Sequence, residues 1–147
     1  IEGMGAYPST YTRHLNFDLR TGRLLRLADL IRPADSTVLR RRLQASISQS
    51  AAEALRTVAT DFPELPELPT ELPGMLHWNA ATRQVDFEPG QPRLDDFSLT
   101  RESLVFYYSF GFPHVIQAAD PGGHYPYTYA GLKPLLRPGG PLTPLVK

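Results

Sequence analysis

Residues 11–31 read YTRHLNFDLRTGRLLRLADLI, and three levels of local signal agree within them. Tyr11, Arg13, Leu15, Phe17 and Leu19 alternate with Thr12, His14, Asn16 and Asp18, a period of two. The alternation predicts a half-buried strand. Asp18 to Gly22 follows with a side-chain acceptor at its start and a residue tolerant of positive φ at its end, as a tight reversal requires. A second short strand is expected over Arg23 to Leu27. One helical turn over Asp29 to Ile31 precedes Pro33, whose ring disfavours helical geometry at Arg32.

The whole chain has 147 residues, the size of one domain, and buries roughly two-thirds of its unfolded surface at that length. Its 15 Pro and 11 Gly predict long irregular connections. Lys plus Arg and Asp plus Glu both total 15, so no net field draws the chain to nucleic acid or anionic lipid, and a nucleic-acid partner is not expected. The absence of Cys excludes disulfides, thiolate catalysis and thiolate metal sites. No run approaches the roughly 20 apolar residues that span a bilayer. The N-terminus lacks the basic region and apolar core of a signal peptide, and its abrupt start at Ile1 reads as a truncated or processed end.

Between Ile1 and Ser9, Gly3, Gly5 and Pro8 surround Tyr7 and predict a turn feeding the first strand. Beyond the hairpin, Asp35 or Ser36 is placed to cap a helix. Leu39, Leu43, Ile47, Ala51, Ala54, Leu55, Val58 and Phe62 then recur at three- and four-residue spacing, which predicts an amphipathic helix over about Ser36 to Thr60, stopped by Pro63. Ser46, Ser48, Gln49 and Ser50 weaken its middle, so tertiary packing must hold it. Arg40, Arg41 and Arg42 spread around the circumference and read as a solvated face rather than a phosphate site.

In PELPELPTELPG the three-residue spacing of Pro63, Pro66 and Pro69 matches polyproline II, and Leu65, Leu68 and Leu72 are expected to pin this stiff connection to the body. Met75 to Trp78 and Gln84 to Glu88 read as short strands. A stronger hairpin follows, Phe97 and Leu99 against Leu104, Phe106 and Tyr108 across a turn at Thr100 to Ser103. Val105, Tyr107 and Ser109 load its second strand on both faces, which predicts a central position. Asp120 to Gly123 predicts a type II turn with Gly122 at positive φ. Tyr125, Tyr127 and Tyr129 alternate after it around Pro126, which marks an edge strand. Gly131 to Leu136 is expected to form a short C-terminal helix, and residues 137–147 a flexible Pro/Gly tail.

No catalytic motif of useful specificity occurs. His14, His77, His114 and His124 are dispersed without metal-ligand spacing, so neither a metal nor another cofactor is expected. His14 reads as a solvent-facing imidazole. Asp95 and Asp96 project to opposite faces, a poor acid/base pair that reads as capping a strand entry. No nucleophile elbow, phosphate loop or dinucleotide fingerprint is present. Aromatic side chains offer the better lead, because Tyr brings large contact area at small rotamer cost. The candidate partner-binding residues are Phe112, Pro113 and His114 in a loop, with Tyr125 and Tyr127. The competing reading of Tyr125, Tyr127 and Tyr129 is core packing on the sheet.

GAYPSTYTRHLNFDLRTGRLLRLADLI resembles the start of the C-terminal domain shared by the anti-sigma factor RsiV and the non-catalytic region of the peptidoglycan deacetylase PdaC. The matching residues are Gly5-Ala6-Tyr7-Pro8, Asn16-Phe17-Asp18, Thr21-Gly22 and Leu27-Ala28-Asp29-Leu30. DDFSLTRESLVFYYSFGF is similar to the family's second signature and YTYAGLKPLL to its closing strand and helix, so the likeness covers about Gly3 to Leu136. Tyr7 stands where the family often has His, and GFPHVIQAADPGGHY departs from the family's usual loop. The resemblance implies an extracytoplasmic α+β domain of a bacterial envelope protein that binds rather than catalyses. Its implied partner is a protein such as lysozyme, or cell-wall peptidoglycan. Family members carry strands upstream of this domain, which residues 1–136 would lack as one RsiV/PdaC-like domain.

The expected fold is therefore α+β, an antiparallel sheet of hairpins packed against one long helix, with a short C-terminal helix. Two other functional readings stay open beside the binding domain. One is a carbohydrate-active or peptidoglycan hydrolase assembled from distant Asp, Glu and His residues. The other is a structural half-domain that pairs with missing strands or a second chain.

Overall fold

The computed structural model describes residues 12–146. The expected turn at Gly5-Ala6-Tyr7-Pro8 lies outside the described residues. Strands β1 (Phe17–Asp18) and β2 (Arg23–Leu24) form the first hairpin, with Phe17 opposite Leu24 and Asp18 opposite Arg23. Gly22 closes the reversal at φ 69°, donating its N–H to the Asp18 carbonyl at 2.7 Å, while the Asp18 carboxylate accepts the Arg20 N–H at 2.9 Å. The strands are shorter than their pattern, and their facing is reversed. Leu15, Phe17 and Leu24 are exposed, whereas Asn16 and Leu25 turn inward. The cause is Asn16, whose carboxamide donates to the Phe97 carbonyl at 2.7 Å and accepts the Leu99 N–H at 3.2 Å. A side chain thus makes the two bonds a neighbouring strand would make, which fixes the polar face against the body.

Helix α1 (Leu27–Leu30) starts earlier than the expected turn and takes the end of the expected second strand. Asp29 sets that start by accepting the Arg26 backbone N–H at 2.8 Å, satisfying one otherwise orphaned donor. After a 3-10 turn at Pro33–Asp35 comes α2 (Ser36–Asp61), within a residue of its expected span. Neither expected cap operates through its side chain: Asp35 binds the Arg32 guanidinium, and the Ser36 hydroxyl donates back to the Pro33 carbonyl.

The PELPELPTELPG stretch departs from polyproline II. Its second half is α3 (Leu68–Met75), with Pro69 in the first turn, where a missing N–H costs nothing. Leu68 and Leu72, four apart, bury against α2 as expected, and this burial selects the helix. β3 (Trp78–Asn79) and β4 (Gln84–Val85) make a small hairpin, narrower than expected because Met75 belongs to α3.

The principal sheet is antiparallel, with β6 (Ser103–Tyr108) central between β5 (Phe97–Leu99) and β7 (Gly123–Thr128). β6 is the strand predicted to be central, and β7, with Pro126, is an edge. The Thr100 hydroxyl accepts the N–H groups of Glu102 and Ser103 and closes the expected turn. Gly122 does not take the positive φ of a type II turn. Instead the Asp120 carboxylate accepts the Gly122 and Phe110 N–H groups and the Ser109 hydroxyl, an Asx-type closure.

α2 serves two apolar clusters. Leu39, Leu43 and Ile47 pack with Leu104, Phe106 and Leu132, while Ala51 and Val58 pack with Leu68, Leu72 and Val85. Each fully buried Leu or Ile contributes about 1.5–3 kcal/mol. The weak middle of α2 lies where the clusters meet, and its serines are tertiary ligands. Ser48 accepts the buried Val85 N–H at 3.0 Å, Ser46 meets the Tyr127 hydroxyl at 2.8 Å, and Ser50 accepts the Tyr125 hydroxyl at 3.3 Å.

The C-terminal helix is α4 (Tyr129–Leu132), continued by a 3-10 turn at Lys133–Leu135. Residues 137–146 do not leave the body as the expected flexible tail. The Arg137 N–H bonds the Leu30 carbonyl at 2.8 Å, its guanidinium bonds the Ala28 carbonyl at 2.9 Å, and Leu142, 3% exposed, enters the first cluster. Among the described residues no helix is long and apolar enough to cross a membrane.

Candidate functional site

Alternation along β6 sends Leu104 and Phe106 into the core and Tyr107 to the opposite face. There Tyr107 stands opposite His124 of β7, and its hydroxyl lies 2.7 Å from the Ser98 hydroxyl of β5. Residues 12–16 cross this face. The His14 ring lies on Tyr107 with centroids 3.9 Å apart and planes 8° from parallel. Asp96 holds it there, accepting the His14 backbone N–H at 2.9 Å and meeting Nδ1 at 3.0 Å through the same oxygen. His14 is half-buried, a correction to the solvent-facing imidazole expected from its place on the polar face.

Beside this stack opens a cleft of about 580 Å³ whose walls include Thr12, Arg93, Asp96, Tyr107, Ser109 and His124. Its volume falls within the range of small-molecule sites. Asp95 and Asp96 diverge as their adjacency requires. Asp96 serves His14, while Asp95 forms a two-point ion pair with Arg93 at 2.5 and 2.9 Å. That guanidinium holds the Asp95 carboxyl below the usual aspartate range. The rim thus offers a carboxylate, a guanidinium, hydroxyls and an imidazole around a tyrosine whose ring is locked in place. Such a set can hydrogen-bond a polar, hydroxyl-rich ligand, with the part of the Tyr107 ring that His14 leaves uncovered as an apolar wall.

The five residues singled out by sequence are not gathered into one surface. Phe112 is 8% exposed and belongs to the second cluster, because Gly111 at φ 70° turns the chain so that Phe112 follows Phe110 inward. Pro113 and His114 are exposed where the 3-10 helix His114–Ala119 begins. Tyr125 and Tyr127 face α2, as the core-packing reading has it, and desolvation there pushes both hydroxyl pKa values up. They also line a shallower groove of about 490 Å³ between β7 and α2, with Gln49 and Glu53. The residues that sequence reasoning missed are His14, Asp96 and Tyr107. Their only local signal was Tyr107 on the second loaded face of β6, since nothing local connects positions 14 and 96.

Among the described residues, no group of three or more His, Asp or Glu is placed to hold a metal ion. Comparison of the chain with family models, curated proteins and solved structures returned no match.

Proposed function

We propose that this chain is a non-catalytic extracytoplasmic binding domain of a bacterial envelope protein, and that the cleft beside Tyr107 holds its ligand. The resemblance to the RsiV and PdaC domains supports the envelope setting and the choice between cell-wall glycan and a protein such as lysozyme. The cleft favours glycan. A sugar ring has an apolar face and a hydroxyl edge, and the observation that carries the reading is the locked Tyr107 ring bordered by Asp96, Ser109 and His124. His14 covers one face of Tyr107, so a ligand meets the part of the ring that lines the cleft, a rigid surface that binds at small entropic cost. Exposed Pro113 and His114 form a separate candidate contact.

The test is calorimetric titration of the full chain with soluble peptidoglycan fragments and, in parallel, with lysozyme. Glycan binding that falls about tenfold or more in Tyr107→Ala supports the cleft. Binding that is unchanged in Tyr107→Ala but lost in His114→Ala moves the site to the loop. No binding of either ligand overturns the proposal.

One observation favours the hydrolytic alternative, the His14–Asp96 pair beside the cleft, since a carboxylate-bound imidazole is a usable general base. Turnover of labelled peptidoglycan that survives stringent purification and disappears in His14→Gln would establish that reading instead.

A further inference from the structure

The inverted hairpin leaves an apolar surface uncovered. Phe17 pairs with Leu24 across β1–β2 and the two are 53 and 37% exposed, Leu15 two positions before Phe17 is 58% exposed, and Leu19 at the tip is 96% exposed. Single exposed apolar residues need no explanation, but a contiguous set on one hairpin does. The same 14 positions that carry it, 13–26, also carry Arg13, Arg20, Arg23 and Arg26, all exposed.

The acidic groups nearby are already engaged. Asp18 accepts the Arg20 N–H, Asp29 takes the Arg23 guanidinium at 3.2 Å and the Arg26 N–H, and Asp95 is paired with Arg93. With Arg23 paired to Asp29, the hairpin sets Arg13, Arg20 and Arg26 against Asp18 alone between positions 13 and 26. The chain's zero net charge does not cancel this cluster for a partner in contact with it, because screening confines the field to about 10 Å at ordinary ionic strength.

We propose that this hairpin face seats on the headgroup layer of an anionic lipid bilayer. Phe17, Leu15, Leu19 and Leu24 enter the boundary between headgroups and acyl chains, and Arg13, Arg20 and Arg26 meet lipid phosphates around them, while Arg23 stays with Asp29. A second copy of the chain is the poorer occupant: an isologous contact would set each arginine cluster against its like across the two-fold axis, with no acidic face to receive it. Four apolar side chains by themselves give a peripheral, reversible attachment. This surface shares no lining residue with the Tyr107 cleft, so its test is independent of the ligand proposed there.

The experiment is co-sedimentation of the full chain with vesicles of phosphatidylglycerol and phosphatidylcholine, against phosphatidylcholine alone, at low and high salt. The expected result is partition onto the anionic vesicles only, weakening as salt rises. Arg13→Ser with Arg20→Ser should weaken it about twenty-five-fold, two charges at about fivefold each. Phe17→Ser with Leu19→Ser should also release the protein, with circular dichroism and the thermal midpoint checking that each variant is folded. Failure to bind anionic vesicles overturns the proposal, as does equal binding to neutral ones. So does a concentration-dependent dimer in sedimentation velocity that the Phe17 and Leu19 substitutions abolish, which would make the second copy the occupant.

Discussion

His14 lies flat on Tyr107 at 3.9 Å, joining a segment near the start of the chain to the central strand of the sheet. Asp96 fixes that contact with one oxygen that serves both the backbone and the ring of His14. Asp96→Ala removes both bonds at a part-exposed position, with an expected cost of about 1 kcal/mol in urea unfolding. Hydrogen exchange at the His14 amide should accelerate in the same variant. An exchange rate equal to the parent's would mean that Asp96 does not hold residues 12–16.

The middle of α2 gives a second prediction. Ser48→Ala leaves the buried Val85 N–H without its acceptor and should cost about 1–3 kcal/mol, although alanine is the better helix former. Gln49→Ala, one position along on the exposed side, should be neutral or slightly stabilising. If both behave alike in chemical denaturation, helix propensity rather than the Ser48 bond governs this turn.

A β-carbon at Gly122 would run into the Tyr108 carbonyl oxygen and lie 3.0 Å from the Ser109 Cα, so backbone must move to admit it. Gly122→Ala should therefore destabilise by about 1–3 kcal/mol. Gly123→Ala meets nothing within 4 Å and should cost far less. The thermal midpoints of the two variants make the comparison, and equal midpoints would refute the close approach.

Docking of the C-terminal segment is tested by Leu142→Ala, expected to cost about 2–4 kcal/mol for a buried leucine. Leu145→Ala, at a half-exposed side chain, should be close to neutral. Equal and small effects would show that the segment contributes nothing to stability in solution.

Alkali should unfold the protein through its tyrosines. Burial raises the hydroxyl pKa values of Tyr108, Tyr125, Tyr127 and Tyr129 above the ordinary value of about 10. Between the unfolded value and the raised folded value the native state keeps protons that the unfolded state has lost, so stability is intact below about pH 10 and falls as pH rises beyond it. Tyr125→Phe removes one such group and should flatten the decline in a series of melts across that range.

Where a pattern is periodic and its partner close in sequence, the fold was legible from residues alone. The spacing of Leu39, Leu43 and Ile47 marked α2, and Val105 and Tyr107 beside Leu104 and Phe106 marked the central strand. Asp18 and Gly22 marked the reversal between them in the same way. The facing of the hairpin was not legible, because alternation shows that two faces differ without showing which is inward. Asn16 decides that through carbonyl and amide groups some 80 positions away.

The cleft was out of reach for the same reason: His14, Asp96 and Tyr107 belong to three separate segments. Phe112 and Leu142 show the converse error, since a loop and a Pro/Gly run give no local sign that one of their side chains fills a core.

By itself, then, the sequence determined α2 and the reversals at Asp18–Gly22 and Thr100–Ser103, whose hydrogen bonds close within a few residues and whose side-chain preferences act locally. Only the tertiary structure decided which hairpin face is covered, what the serines of α2 bind, and where a histidine meets its aspartate. Those outcomes depend on contacts between distant segments, for which local periodicity carries no term.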